Sequence, residues 1–461
     1  MLAAVLAAVA FAAPAAHDWT RFDYDAKRSG VYPFATGITA ANAGRLQRQR
    51  VELDGTVDSS PIFLHDVAVG GARRDAFFMT TTYGRTIAID AANGHIVWRH
   101  TPSGYSSLAG TYRITNATPV ADPSRTAIYI AGPDGRIRKL AVSDGHELWS
   151  TAITLLPRRE KIAPALNFAR GLVIAATGGY VGDAPPYQGH VVTLRRSNGA
   201  IVHVWNSLCS DRHALINPSS CRSSDSAIWA RSGAVVEPSG RVLVATGNGP
   251  WNGRTDWGDS VLELSADARR LLQNWTPRNA DELESADADL GSTAPALLGG
   301  GLALQGGKDG KVRLLNLRRL NGTPRAGARK GGELQSLSTP GGVDLFTAPA
   351  VWHQGRTTWT FVADGAGTAA YRLVKSRLRR VWQNSHAGTS PVVAGGLLYV
   401  YDPAGGELRI YRPTTGSAVA SLPAGAGHWN SPIVVAGMVA LPDGDANEHR
   451  QSGVLDIYRL P

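Results

Sequence analysis

The chain is poor in cysteine, in charged residues and in long apolar runs, and each shortage excludes a class of protein. Two cysteines among 461 residues are too few for a disulfide-dense small domain or a four-cysteine zinc site. A charged fraction of 18% is too low for a disordered polar chain. By contrast, 52 glycines, 26 prolines and 43% hydrophobic residues are typical of many short strands joined by tight turns.

The longest apolar run lies at the start of the chain and is too short to span a bilayer. It is followed by the small residues of 12–16, which predicts a signal peptide at residues 1–16 that is cut near Ala16, although no Lys or Arg precedes the run. We therefore expect a periplasmic or extracellular protein with no transmembrane span. Its one domain would occupy residues 17–461.

Cys209 and Cys221 lie in a polar segment, residues 206–226, that we interpret as a loop insertion. In an exported chain their spacing predicts a disulfide, worth roughly 3 kcal/mol in the chain-entropy estimate. The alternative is two unrelated buried thiols. Because no Cys-x-x-Cys-His is present, covalently attached haem is not expected.

The net charge of +10 is accompanied by arginine doublets spread along the chain. They begin at Arg158, Arg195, Arg269, Arg318 and Arg379. No nucleic-acid-binding module accompanies them, which argues against a nucleic-acid partner. The dispersed pattern favours a solvated basic surface, and it is compatible with a protein, an anionic surface or an acidic polymer as partner.

A small residue, a proline and an apolar stretch recur along the chain, which indicates a repeat architecture. The openings of this form are Ser60-Pro61, Thr118-Pro119, Ala163-Pro164, Ala294-Pro295, Ala348-Pro349, Ser390-Pro391 and Ser431-Pro432. A further opening, Ser232-Gly233, lacks the proline. Each leads into an apolar strand, a Gly-rich turn and another strand. Eight such units predict an all-β protein, an eight-bladed β-propeller with four-stranded blades.

The ends of the chain predict how the ring closes. The last unit ends at residues 454–460 without an outer strand, and the strand through Leu53 has no inner strands before it. Pairing of residues 44–53 with the C-terminal blade would leave no open sheet edge. A solenoid is the alternative, but its two ends would need separate caps.

The best-preserved units end with a Gly followed by a Trp, and the first of them carries a family signature. Its residues Ala88, Asp90, Gly94 and Trp98 resemble the repeat of alcohol dehydrogenases that depend on pyrroloquinoline quinone (PQQ). Residues 18–25 and 42–46 are similar to the N-terminus of that family. The resemblance covers essentially the whole chain after the signal peptide. It is closest to a secreted branch of PQQ-like repeat proteins, through residues 178–187, 246–251 and 287–292.

The resemblance implies a site for PQQ, a flat quinone with three carboxylates, and for Ca²⁺. Trp229 falls where the family stacks a tryptophan on the quinone, or else it is a core residue of the propeller. Asn248 matches a calcium ligand, or else it stabilises a turn. Asp287 and Asp289 lie near the catalytic, metal-binding aspartate, or else they hold a loop. Lys308 matches the cation that contacts the quinone oxygen, or else it is a surface residue.

Two departures weaken the implied site. Tyr180 stands where the family has a calcium-binding Glu, and a tyrosine hydroxyl stays protonated at neutral pH. The pair of adjacent cysteines found beneath the cofactor in many of these enzymes is also absent. The implied metal site is therefore one carboxylate short.

Two functions follow from these patterns. We expect a secreted, non-catalytic binding or scaffold propeller with a degenerate PQQ site. The alternative is a PQQ- and calcium-dependent dehydrogenase of alcohols or hydroxylated polymers. The two differ in whether the site binds PQQ and turns over a substrate.

Overall fold

Each sequence unit forms a four-stranded antiparallel blade in the computed structural model, which describes residues 16–461. The small-residue openings lie directly before the innermost strands, as Ser60-Pro61 does before Ile62. The predicted all-β, eight-bladed propeller is therefore confirmed. Residues 1–15 of the predicted signal peptide lie outside the described residues, so the signal peptide stays a prediction.

The strands of a blade follow one another from the axis outwards. Two strands precede the first complete blade: β1 (Val31–Tyr32) and β2 (Gln47–Leu53). Blades 1 and 2 contain β3 (Ile62–Val69), β4 (Ala72–Thr80), β5 (Thr86–Asp90), β6 (Ile96–His100), β7 (Val120–Ala121), β8 (Ala127–Ala131), β9 (Arg136–Ala141) and β10 (Glu147–Ala152). In blade 3 a small sheet of two extra strands, β11 and β14, accompanies the four blade strands. This region contains β11 (Glu160–Lys161), β12 (Asn167–Ala169), β13 (Leu172–Ala176), β14 (Gly178–Gly179), β15 (His190–Arg195) and β16 (Ile201–Asn206).

The remaining blades repeat the same order. Blades 4 and 5 contain β17 (Val235–Val236), β18 (Val242–Ala245), β19 (Val261–Leu264), β20 (Leu271–Trp275), β21 (Ala296–Gly299), β22 (Leu302–Gln305), β23 (Lys311–Asn316) and β24 (Gln335–Ser338). Blades 6 and 7 contain β25 (Ala350–Gln354), β26 (Thr357–Ala363), β27 (Thr368–Val374), β28 (Arg377–Asn384), β29 (Val392–Ala394), β30 (Leu397–Asp402), β31 (Glu407–Tyr411) and β32 (Ala418–Pro423). Blade 8 contains β33 (Ile433–Val435), β34 (Met438–Asp443) and β35 (Gly453–Arg459), with β2 outside them.

Helical structure is confined to short segments. The α-helices are α1 (Tyr105–Leu108) and α2 (Ala280–Ser285), and single 3₁₀ turns occur at Ala43–Arg45, Pro218–Ser220, Leu290–Ser292 and Ala446–Glu448. Within residues 16–461, no helix is both long and apolar enough to cross a membrane.

Tryptophans on the outer strands join neighbouring blades, as the Gly-to-Trp spacing suggests. The indole of Trp98 in blade 1 donates a hydrogen bond to the carbonyl of Val142 in blade 2 (2.9 Å). Its ring covers Gly145, where a Cβ would lie 2.6 Å from the ring and where φ is +76°. Only glycine satisfies both the turn and this close contact.

The ring closes by pairing of the two ends of the chain. Strand β2 runs antiparallel to β35, with Gln47 opposite Arg459 and Leu53 opposite Gly453. The predicted closure is thereby confirmed. It gives blade 8 its fourth strand and leaves the ring without an unpaired edge there.

The N-terminal segment 19–32 runs across the central channel and pairs with the inner strands. Trp19 exchanges two backbone hydrogen bonds of 2.8 Å with Phe63 in blade 1. Further backbone or side-chain hydrogen bonds reach the inner strands of blades 2, 3, 4, 6 and 7, at Ala121, Asn167, Val236, Val351 and Val393. The buried guanidinium of Arg28 donates to the carbonyl of Phe22 within the segment and to that of Leu166, just before the inner strand of blade 3. This segment, called the plug below, closes the channel.

The insertion after β16 carries the two cysteines. Cys209 and Cys221 form a disulfide, as predicted. The segment returns to blade 3 at Asp225, whose backbone amide donates to the carbonyl of Tyr187.

Candidate functional site

A cavity of about 790 Å³ opens on the propeller axis. Two kinds of segment form its walls. One kind leads into the innermost strand of a blade, and the other joins the second strand of a blade to the third. Residues of the first kind include Lys161, Trp229 and Phe346, and residues of the second kind include Asn248 and Lys308. Because both kinds of segment lie at the same end of every blade, the cavity has its mouth there and the plug beneath it.

Three aromatic rings from different blades form the floor of the cavity. Trp229 and Trp429 are stacked with centroids 5.7 Å apart, and Phe346 lies 5.9 Å from Trp229 and 6.1 Å from Trp429. The guanidinium of Arg231 supports this floor from below, 5.7 Å from the ring of Trp429 and 5.7 Å from that of Phe22 in the plug. A flat ligand of aromatic character would find an extended apolar surface here.

One side of the cavity holds all five residues that the resemblance singles out. The ammonium of Lys308 lies 2.5 Å from Asp289, 3.6 Å from Asp287 and 5.5 Å from the ring centroid of Trp229. The backbone amide of Asn248 donates to Asp289 (2.8 Å), and its side-chain amide donates to Asp287 (3.1 Å). The five predicted residues are therefore neighbours in space.

The side-chain oxygen of Asn248 is buried and has no hydrogen-bond donor in the described structure. Its orientation is fixed, because the amide nitrogen faces the carboxylate of Asp287 and a flipped amide would place two oxygens together. A buried acceptor without a donor is costly unless a ligand satisfies it.

Three more carboxylates line this side, and the sequence analysis did not select them: Asp183, Asp225 and Glu284. Burial and the charges of Glu284, Asp183 and Asp289 raise the pKa of Asp225 to about 7. Burial and the neighbouring aspartates also raise the pKa values of Asp183 and Glu284. These raised pKa values show that the neighbouring carboxylates repel one another. A divalent cation bound between them would relieve this repulsion.

The opposite side of the cavity is basic. Lys161 is only 5% exposed, and burial lowers its pKa to about 8. Within residues 16–461, no carboxylate lies within the 4.0 Å of an ion pair with its ammonium, and the charges that act on its pKa are those of Asp58, Arg231 and Asp445. A buried ammonium without a counter-ion that faces a cavity is suited to hold an anionic group of a ligand.

Next to Lys161, His428 stacks on Trp429 with ring centroids 4.4 Å apart. Asp58 accepts from His428 Nδ1 (2.9 Å), from Asn116 (2.7 Å) and from the backbone amide of Trp429 (2.9 Å). Asp58, His428 and Asp445 come within 4.8 Å of one another, but the oxygens of Asp58 are occupied by these donors. The group therefore orients the imidazole and does not resemble an open metal site.

Tyr180 lines the cavity, but its hydroxyl points into the wall. The oxygen lies 3.2 Å from the carbonyl of Pro133 and 3.1 Å from that of Pro157. The ring packs edge-on against Tyr112, with centroids 5.4 Å apart. Where the resemblance implies a calcium-binding carboxylate, this chain thus has a buried neutral hydroxyl, while Asp183 and Asp225 bring carboxylates from neighbouring positions.

Several floor and wall residues were missed although they occupy equivalent places in the repeat. Each of them lies two residues before the small residue that opens its blade: Asp58, Asn116, Lys161, Phe346 and Trp429. This shared position in the repeat is a signal in the sequence from which these residues could have been found. Asp225 and Glu284 have no such register, because they lie at the end of the insertion and in α2.

The fold and this site define a class of protein, an eight-bladed propeller with an acidic, aromatic-floored cavity on its axis. A family model described as outer membrane protein assembly factor BamB (PQQ_2) matches residues 39–249. Polyvinylalcohol dehydrogenase of Sphingopyxis sp. (strain 113P3) is 22% identical over 216 residues, a match that covers 44% of this chain and 32% of that protein. The chain thus spans about a third of the length of this curated relative.

Solved structures share the fold over nearly the whole chain. The quinohemoprotein alcohol dehydrogenase of Comamonas testosteroni aligns with a TM-score of 0.68 and 15% identity, covering 96% of this chain and 81% of the other. A europium-containing methanol dehydrogenase aligns with a TM-score of 0.70 and 15% identity, covering 96% and 98%. These matches support the resemblance to PQQ-like β-propeller proteins that the sequence indicated. At these identities the structural matches establish its fold alone.

Proposed function

We propose that this protein is a dehydrogenase that binds PQQ and Ca²⁺ in the axial cavity and oxidises a hydroxyl group of its substrate. The observation that carries the proposal is the buried side-chain oxygen of Asn248, which lacks a donor and lies among carboxylates beside an aromatic floor. The matched polyvinylalcohol dehydrogenase and quinohemoprotein alcohol dehydrogenase support this activity, whereas the family model described as an assembly factor agrees with the non-catalytic function that the sequence favoured.

The donor set fits a hard divalent cation. Calcium takes oxygen ligands from carboxylates and amide carbonyls, and it tolerates irregular geometry. Asn248, Asp183 and Asp225 offer oxygens of this kind at one side of the cavity. Among the described residues no three carboxylates on this side come within 4.8 Å of one another, so a bound cation would draw them together. The absence of a carboxylate at Tyr180 therefore does not remove the site, because other carboxylates provide the negative charge.

The rest of the cavity fits a flat tricarboxylate. Trp229, Phe346 and Trp429 would contact its ring. Lys161, which has no carboxylate partner within the described residues, would hold one of its carboxylates. When bound, PQQ supplies the two-electron acceptor that no side chain of this protein provides.

The chain's own residues would position the substrate and move its proton. Asp289 is fixed by Lys308 and by the backbone amide of Asn248, so its role is to hold these two groups in place. Asp287 has a side chain that is 73% exposed at the cavity mouth. It is therefore better suited to accept the hydroxyl proton and to release it to water.

We place this activity in the periplasm or outside the cell. The Cys209–Cys221 disulfide supports this location, because disulfides persist in oxidising compartments.

Calorimetry with PQQ, at fixed Ca²⁺ and after chelation, tests the binding directly. We expect calcium-dependent binding to the wild type and a loss of about 10- to 100-fold in Asn248→Ala. The matched control is Glu52→Gln on β2, an exposed residue far from the cavity, which should bind as the wild type does.

Reduction of an artificial dye in the presence of simple alcohols or polyvinyl alcohol then tests turnover. Dye reduction that requires PQQ, Ca²⁺ and Asp287 would support the dehydrogenase. Failure of the wild type to bind PQQ would refute the dehydrogenase. Binding of PQQ without turnover of any hydroxylated substrate would favour the non-catalytic function instead.

A further inference from the structure

The sequence contains six arginine doublets, counting Arg73-Arg74 of blade 1, and half of them are gathered on one face of the fold. Three of them lie at the turns that join the third strand of a blade to the fourth: Arg195-Arg196, Arg269-Arg270 and Arg318-Arg319. They belong to blades 3, 4 and 5 in succession. The propeller repeat therefore brings them to equivalent positions on one face of the ring.

This face is opposite the cavity mouth. The cavity is built from segments between blades and from those joining second to third strands. Turns from first to second and from third to fourth strands lie at the other end of the same strands, because neighbouring strands are antiparallel. Backbone hydrogen bonds between the two kinds of turn confirm that they share a face, as from Leu317 to the carbonyl of Gly301 (2.9 Å).

The doublets are exposed and almost free of counter-ions. All six arginines are exposed. In the described part of the chain, Arg196 alone among them has a carboxylate within 4.0 Å, that of Asp122 at 3.9 Å. Lys375 and Arg412 continue the series at the corresponding turns of blades 6 and 7.

Few acidic residues balance this charge. Across residues 16–461, the turns of blades 3 to 7 on this face contain only Glu237, Asp267 and Glu333 as acidic residues. Glu333 accepts a hydrogen bond from Trp275. The face is thus basic over a sector of five successive blades. The equivalent turns of blade 2 carry the acidic residues Asp122 and Asp144 beside Arg125.

We propose that this basic sector, defined by the three arginine doublets with Lys375 and Arg412, docks the protein on an anionic lipid surface. The cations are distributed around an arc and project from short turns, which suits a planar array of phosphate groups. A polyanionic chain would require a groove that follows the arc, whereas the depression on this face is confined to blades 5 and 6, between Gly299 and Lys375. Docking by this face would leave the cavity mouth open to solvent on the opposite side.

Co-sedimentation of the mature protein with vesicles tests the proposal without any need for the cavity ligand. We expect binding to phosphatidylcholine vesicles that contain phosphatidylglycerol, no binding to phosphatidylcholine alone, and release at high salt because the interaction is screened. Each neutralised charge should weaken the partition about fivefold, so Arg195→Gln/Arg196→Gln should weaken it roughly 25-fold.

The control is Arg158→Gln/Arg159→Gln, an equally exposed doublet on the segment before blade 3, at the cavity end. It removes the same charge and should leave vesicle binding within about twofold of the wild type, because long-range charge is screened beyond roughly 8 Å. Equal weakening by both doublet variants, or no binding to anionic vesicles, would overturn the proposal. Binding to soluble heparin but not to vesicles would overturn it in favour of an acidic polymer.

Discussion

Glu160 and His190 form a buried pair, and substituting either residue tests how much this pair stabilises the propeller. Both side chains are fully buried behind the cavity wall, and His190 Nε2 lies 3.0 Å from Glu160. His190 Nδ1 lies 2.6 Å from the side-chain oxygen of Asn206, whose amide nitrogen already donates to two carbonyls. That oxygen must therefore accept from Nδ1. The Glu160 oxygen also accepts from the backbone amide of Gln188, so we assign it as the acceptor of Nε2 and the ring as an imidazolium.

Glu160→Gln keeps the shape of the side chain and removes its charge. The buried imidazolium then lacks a counter-ion, and breaking a buried pair in this way costs about 3–5 kcal/mol. We expect a loss of that size in the free energy of unfolding, measured by urea titration followed by tryptophan fluorescence. The double variant Glu160→Gln/His190→Gln should lose less than the sum of the two single variants, because no unpaired charge remains.

The pair also predicts a pH dependence with a definite sign. Burial opposes the charged form of His190, but the charge and hydrogen bond of Glu160 raise its pKa above the usual 6.5. A raised pKa means that the contribution is complete below pH 6.5 and is lost as pH rises through the folded-state value. The wild type should therefore lose stability as pH rises above 6.5, and His190→Gln should not show this loss.

The exposed pair His146 and Asp144 provides the control, because their side chains are 58% and 62% exposed. His146→Gln should change the free energy of unfolding by no more than about 1 kcal/mol. If Glu160→Gln also stays within about 1 kcal/mol of the wild type at pH 6, or if its pH dependence matches that of the wild type, the assignment of a buried ion pair is wrong.

Three further changes test other contacts. Gly145→Ala should lower the melting temperature more than Gly171→Ala does, because both have positive φ but only Gly145 lies under the ring of Trp98. Arg28→Met leaves buried carbonyls in the plug without a donor, at about 1–3 kcal/mol for each group, and should speed hydrogen exchange of residues 19–32. Tyr180→Glu should not increase calcium-dependent PQQ binding, because the new carboxylate would face two carbonyls, and a gain measured by calorimetry would refute the orientation described above.

The architecture could be predicted from the sequence because most blades contain the same short sequence signals at the same places. A small residue and proline mark the start of an inner strand, a glycine permits the turn, and a tryptophan at the end covers the glycine of the next blade. Trp98 on Gly145 and Trp149 on Gly199 show the same contact in successive blades. Signals that agree at every level in this way specify one topology.

The site was only partly predictable, for a physical reason. Trp229, Asn248 and Lys308 were found through a motif, and Lys161 and Trp429 could have been found through their shared place in the repeat. Carboxylates such as those of Asp225 and Glu284 come from connections that interrupt the repeat, so neither spacing nor periodicity predicts that they reach the axis. The role of residues 19–32 as a plug was equally hidden, because only the closed ring creates the channel that they fill.

The plug has a consequence for how the chain acquires its structure. Residues 19–32 are synthesised before any blade, yet their hydrogen-bond partners extend to Val393 in blade 7. They cannot reach their final positions until almost the entire chain has been synthesised. Until then, the blades that form early lack their contacts with residues 19–32. Contacts between such distant parts of a chain slow folding and expose strand edges in the meantime. A segment that is made before every blade is thus among the last to be fixed, and its docking adds contacts between blades that are far apart in the chain.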